Sequence, residues 1–201
     1  MTTRQKALIS IFKKKKGILR FSEIVQRGFH STHLVALQEL GLVEKIGRGL
    51  YKLTASEEFS NPDLVLATLK VPNSIVCLIS ALNFHEATEQ IARQVDLAIP
   101  HGRRALKVTY PSVQFFRFSD QAWRTGIEVH KIDGHSVKIY SLAKTIADCF
   151  KFRNKIGGLS VAIEAMRVAV LEKKVKPAEI AKFAKICRVL NVVRPYFDAI
   201  L

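Results

Sequence analysis

The stretch VEKIGRGLYKL, Val43 to Leu53, sets an arginine between two glycines and flanks them with short apolar and basic runs. Val43 and Ile46 on one side, and Leu50 and Leu53 on the other, supply the apolar positions of two half-buried strands. Gly47 and Gly49 accept the positive φ angles that a tight reversal needs, which leaves Arg48 at the tip. A hairpin that presents a single cation suits an anion, and the residues before it decide which kind.

Directly upstream, STHLVALQELGL (Ser31 to Leu42) offers Ser31 or Thr32 as an N-cap. It places Leu34, Leu37 and Leu40 on one side of a helix and ends that helix at Gly41. A short helix fits Ser22 to Arg27, capped by Ser22, with Glu23 in its first turn, and Gly28 to His30 breaks the chain after it. Thr3 to Phe12 spaces Ala7, Leu8, Ile9 and Phe12 as a helix does. The lysines that follow complement the dipole at its end, and Gly17 stops it. Helix, short helix, glycine-containing turn, longer helix and hairpin is the order of a winged helix-turn-helix.

On that reading the hairpin is the wing, and Arg48 meets a phosphate or enters a minor groove. The third helix turns Thr32, His33, Val35, Ala36 and Glu39 away from its leucines. Contacts to base edges and phosphates are expected from His30, Ser31, Thr32, His33 and Ala36. Lys13, Lys14, Lys15, Lys16, Arg20, Arg27, Lys45 and Lys52 would neutralise phosphates and make binding salt-dependent. This face has no Arg or Asn for bidentate base contacts, so specificity needs paired sites or DNA shape.

The totals point the same way. The chain has 201 residues, 48% hydrophobic, enough to bury a core, and carries 32 Lys plus Arg against 17 Asp plus Glu, a formal charge of +15. Such a field favours nucleic acid or, less often, an anionic membrane surface. Residues 1–53 hold 11 cations and 3 acids, over half of the excess in a quarter of the chain. There is no run of eighteen apolar residues, and the charges of MTTRQKALISIFKKKK follow its apolar segment rather than precede it. Neither a membrane span nor a signal peptide is expected, and the expected compartment is the cytoplasm. Cys77, Cys149 and Cys187 are odd in number and widely spaced, which suits buried thiols rather than a disulfide framework or a zinc site.

SEEFSNPDL (Ser56 to Leu64) marks a boundary, giving a winged helix over residues 1–56 and a second domain over residues 57–201. The second opens with a helix in which Pro62 sits in the first turn. The β-rich runs QVDLAIP (Gln94 to Pro100), KVTYP (Lys107 to Pro111), VQFFRFS (Val113 to Ser119), GIEVHKI (Gly126 to Ile132) and HSVKIYS (His135 to Ser141) then predict a small, largely antiparallel sheet, with a hairpin turn at Asp133-Gly134. From Ser141 onward the pattern is helical: Leu142, Ile146 and Phe150 fall at i, i+4 and i+8, and GLSVAIEAMRVAVLEKK and PAEIAKFAKICRVL follow. The fold class is α+β. Lys144, Thr145, Asp148, Lys151 and Arg153 form a polar stripe beside the apolar one, a candidate functional surface.

Signals for catalysis are thin. His85-Glu86 lacks the spacing that sets two histidines on one zinc. Asp96 with Glu128 and Lys131 invites comparison with metal-dependent nucleases but lacks the short acid-x-Lys unit. Gly157-Gly158 precedes a helix without the form of a phosphate loop.

GRGLYKL (Gly47 to Leu53), SIVCLISALNFHE (Ser74 to Glu86), VDLAIP (Val95 to Pro100) and above all YSLAKTIADCFKFRNKIG (Tyr140 to Gly157) together resemble the AbiEi-type antitoxins of bacterial type IV toxin–antitoxin and abortive-infection systems. The resemblance extends over nearly the whole chain. It implies a winged helix that binds double-stranded operator DNA and represses the antitoxin–toxin operon. It also implies a C-terminal domain that counters a nucleotidyltransferase-like toxin without requiring a stable complex. The expectation is a non-enzymatic protein with no cofactor, no metal and no membrane partner, monomeric in solution and paired on DNA. Two other classes stay open: a nuclease delivered by the winged helix, which a divalent-metal requirement would reveal, and a regulator whose second domain senses a small molecule.

Overall fold

The computed structural model describes residues 1–55 and 59–200. They divide into two compact units, Met1–Pro72 with Lys131–Ser136, and Asn73–His130 with Val137–Leu201. The boundary expected after residue 56 lies outside the described residues.

In the first unit, α1 (Thr3–Lys14) starts at a capping box. Thr2 Oγ1 accepts the Gln5 N–H at 3.2 Å, and Gln5 Oε1 accepts the Thr2 N–H at 2.7 Å. It ends in a Schellman turn whose left-handed residue is Lys16, at φ +50°, while the Gly17 N–H reaches back to the Phe12 carbonyl at 2.7 Å. The stop read at Gly17 therefore falls one residue earlier. A short strand, β1 (Ile18–Arg20), follows, and α2 (Phe21–Gln26) begins without a Ser22 cap: the Glu23 carboxylate instead accepts the Arg20 N–H at 2.9 Å. The third helix, α3 (Ser31–Glu39), ends at Gly41, φ +66°, where the Leu42 N–H bonds the Leu37 carbonyl at 3.0 Å.

Strands β2 (Val43–Gly47) and β3 (Leu50–Leu53) complete the wing, and the antiparallel sheet has the order β1-β3-β2. Leu8, Phe12, Leu19, Ile24, Leu34, Leu37, Val43 and Leu53 form the core of this unit. It also contains α4 (Pro62–Lys70), with Pro62 in the first turn, and the reversal at Asp133 and Gly134, φ +47° and +78°. His135 Nε2 donates to the Lys15 carbonyl at 3.0 Å, and Asp133 Oδ2 accepts the Ser60 N–H at 2.9 Å.

The second unit is built on β4 (Ile75–Val76), α5 (Leu78–Phe84), β5 (Val95–Pro100), β6 (Val113–Phe118), α6 (Asp120–Arg124), and the parts of β7 (Ile127–Ile132) and β8 (His135–Tyr140) outside Lys131–Ser136. Its sheet has the order β6-β5-β4-β8-β7. The expected Asp133-Gly134 hairpin joins β7 to β8, and β4 is antiparallel to β5. Two parallel pairings, β4 with β8 and β5 with β6, make the whole sheet mixed. KVTYP is no strand; it belongs to the connection 101–112 that carries the chain back so that β6 runs alongside β5 in the same sense.

Four helices follow the sheet in the chain: α7 (Leu142–Lys151), α8 (Leu159–Leu171), α9 (Pro177–Ile186) and α10 (Leu190–Ile200). Every residue of α7 from Leu142 to Phe150 is buried, because the helix packs against α5, α8, α9 and α10.

Candidate nucleic-acid interface

The first unit presents two exposed elements side by side in its chain order, the start of α3 and the wing. His30, Ser31 and Thr32 are exposed at the start of α3 and Val35 is 49% exposed, whereas His33 and Ala36 are half-buried. The His33 ring stacks on His30 at 6.0 Å and meets Phe29 edge-on, and its Nδ1 is buried without a hydrogen-bond partner. In the wing, Lys45 and Arg48 are exposed and Lys52 is half-buried. Only one of the two positions requires a glycine. Gly49 sits at φ +66°, while Gly47 lies outside the left-handed region, beside a register shift that follows Lys45.

The remaining cations divide by what already holds them. Lys13, Lys14, Lys16 and Arg27 are exposed; Arg27 Nη1 donates to the Glu23 carbonyl at 3.3 Å. Lys15 is half-buried and lies 4.0 Å from the Glu23 carboxylate. Arg20 is the clear departure from expectation. Its guanidinium donates to the Leu69 carbonyl within the unit, so it ties the end of α4 to β1 instead of standing free for a phosphate. Glu23, which the sequence marked only as a first-turn acid, organises this region through Arg20, Lys15 and its own carbonyl.

The stripe read as a surface on α7 is a correction. Lys144, Thr145 and Asp148 are fully buried. The Lys144 ammonium pairs with Asp148 Oδ2 and lies over the rings of Tyr140, at 4.2 Å, and Phe118, at 4.9 Å. Cys187 Sγ donates to Asp148 Oδ1 at 3.1 Å, and Thr145 Oγ1 donates to the Tyr140 carbonyl at 3.3 Å. Burial pushes the Asp148 carboxyl above the ordinary carboxylate range, against the pull of Lys144 and the Cys187 thiol. The physical reason is that α7 is enclosed on every side, so its polar face finds partners inside rather than water. Lys151 and Arg153 are half-buried, the latter donating to the Phe150 carbonyl at 2.9 Å. The three cysteines are free and buried, as their spacing suggested.

Cavities open in the second unit, and two of them are lined by residues singled out above. One, about 690 Å³, is lined by His85, Glu128, Ser141, Lys174, Lys182 and Phe183 among others. The other, about 520 Å³, is lined by Arg93, Gln94, Asp96, Gln114 and Lys155 among others. Asp96 and Glu128 thus line different cavities, on strands three places apart in the sheet, roughly 14 Å by strand spacing. They are not placed to share one metal ion, and among the described residues no group of three or more His, Cys, Asp or Glu is arranged to hold one. No helix among the described residues is long and apolar enough to cross a membrane.

Residues 6–54 match the family model described as a transcriptional regulator, AbiEi antitoxin. That segment carries the winged helix, and the resemblance read from the sequence stands on it. In fold the chain is similar to the RV2827C protein from Mycobacterium tuberculosis, known from a crystal structure. The TM-score is 0.59 and the identity 11%, with 92% of this chain and 72% of that chain covered. No curated protein matches by sequence.

Proposed function

We propose that this chain is a non-enzymatic, DNA-binding antitoxin of a type IV toxin–antitoxin system, working in the cytoplasm. Its first unit represses its own operon, and its second unit counters a nucleotidyltransferase-like toxin without a lasting complex. The observation that carries the reading is the complete winged-helix order of residues 3–53, which coincides with the family match over residues 6–54. The exposed set His30, Ser31, Thr32, Lys45 and Arg48 supports major-groove entry by α3 and backbone contact by the wing. Lys13, Lys14, Lys16 and Arg27 add phosphate neutralisation; His33 and Ala36 approach bases only if the helix seats deeply. Repression needs no catalytic residue, cofactor or metal, and the protein acts as a monomer that pairs on DNA.

A gel-shift titration on DNA from directly upstream of its own gene, with scrambled duplex as competitor, tests this. Selective binding is expected, together with a loss of about fivefold or more in Arg48→Ala, since one charge-assisted phosphate contact contributes about 1 kcal/mol or more. Equal affinity for both duplexes, or Arg48→Ala binding as tightly as the parent, would sink the repressor reading.

A further inference from the structure

The second unit carries a basic strip that the winged helix does not account for. Because β5 and β6 are parallel neighbours, residues 101–112 must return from one end of the strand pair to the other. The His101 N–H bonds the Phe118 carbonyl at 2.9 Å at one end, and the Ser112 carbonyl accepts the Val95 N–H at 2.8 Å at the other. The segment therefore spans about 20 Å, the length of a six-residue strand, without forming helix or strand of its own. His101, Arg103, Arg104 and Lys107 are exposed along it; Leu106 is 45% and Tyr110 58% exposed. Between Asp96 and Asp120 the sequence has no acid and four cations, Arg103, Arg104, Lys107 and Arg117.

Where the strip ends, the 520 Å³ cavity begins. Ser112 adjoins Val95, and the next residues along the two strands, Asp96 and Gln114, line the cavity together with Gln94. Its volume is that of small-ligand sites, about 300–1,000 Å³. Asp96 is only 5% exposed and caps α5 through the Ile79 N–H, at 3.1 Å; Gln94 Nε2 donates to Gln114 Oε1 at 2.7 Å. Arg93 and Lys155 stand at the rim. A row of cations with an exposed aromatic ring, running into a cavity lined by a carboxyl and two carboxamides, offers a phosphate track, a stacking face and hydrogen-bonding groups for a base edge. Duplex DNA would use only the first of these. A single strand, whose bases are free to leave the stack, would use all three.

We infer that the second unit binds single-stranded nucleic acid along residues 101–112, with one base lodged in the cavity beside Asp96. This site is independent of the winged helix and of the repressor reading.

The test is fluorescence anisotropy of the full-length protein with labelled homopolymeric single strands, in the presence of excess unlabelled duplex. Binding should survive the duplex. Its salt slope should be about −2, as expected when a single strand releases counterions from two or three phosphates. The doubly reversed variant Arg104→Glu/Lys107→Glu should lose about tenfold or more in single-strand affinity and change duplex affinity by less than about twofold. Tyr110→Ala, which leaves every charge in place, should lose about tenfold by removing one stacking contact. Oligo(A) and oligo(C), whose bases carry the exocyclic amino group that a carboxyl accepts, should bind more tightly than oligo(U). Displacement of the single strand by duplex would overturn the proposal, and so would an affinity unchanged in the charge-reversed variant. Equal displacement by polyglutamate would show a generic cation patch that takes acidic protein as readily, and would overturn it too.

Discussion

An ammonium group taken from water into a protein interior costs several kcal/mol unless something replaces its hydration. At Lys144 the replacement is the Asp148 carboxylate and the faces of Phe118 and Tyr140. Gly126 belongs to the same arrangement. A Cβ there would lie 2.8 Å from Lys144 Cβ, so only glycine lets the strand and the lysine stem pass. Removing one partner alone strands the other charge, and Lys144→Ala is expected to destabilise the protein by about 3–5 kcal/mol. Lys144→Met with Asp148→Leu should recover most of that loss, because a well-packed apolar pair needs no hydration. Urea denaturation of the three proteins checks this; a Lys144→Ala variant as stable as the parent would rule out the buried pair.

In the wing, the two glycines do different work. Gly49 has φ +66°, and an alanine there should cost about 1 kcal/mol of backbone strain. Gly47 is not left-handed, and a Cβ placed on it would meet Lys70 Cε at an ordinary 3.6 Å. Gly47→Ala should therefore be neutral or stabilising by a few tenths of a kcal/mol, up to about 1, through the unfolded chain. Thermal midpoints of the two variants separate the cases, and equal losses would contradict the turn geometry. Elements whose signals lie within one window, such as α1, α3, the wing and the Asp133-Gly134 turn, were legible in the sequence through caps, leucine spacing and turn residues. Strands β1 and β4, three and two residues long, hold too few residues for a period to show. The inward polar face of α7 was illegible for another reason. Its partners, Phe118, Tyr140 and Cys187, come from other elements, and an i, i+4 Lys–Asp pair looks alike in water and in a core.

At the scale of the whole molecule, two buried groups tilt stability in opposite directions with pH. Burial lifts the Asp96 carboxyl to about 7, so the native state keeps a proton that the unfolded chain releases near pH 4. Its contribution is complete below that point and is lost as pH rises through 7, about 4 kcal/mol over the interval. Burial holds His135 below its ordinary value, so its contribution is present above about pH 6.5 and is lost as pH falls through the folded value. Stability measured by urea at several pH values should carry a decline between about pH 4 and pH 7 that levels off above it, and Asp96→Asn, which keeps an acceptor for the Ile79 N–H, should remove that decline. A variant profile parallel to the parent's would remove Asp96 as its cause. His135 also belongs to a piece of chain, Lys131–Ser136, that joins the first unit from far along the sequence. A gene segment encoding only Met1–Pro72 would leave the Lys15 carbonyl uncovered and Ser60 without Asp133. The winged helix of this protein is thus no portable cassette. Recombination that joined it to a new partner at its own end would leave part of it behind.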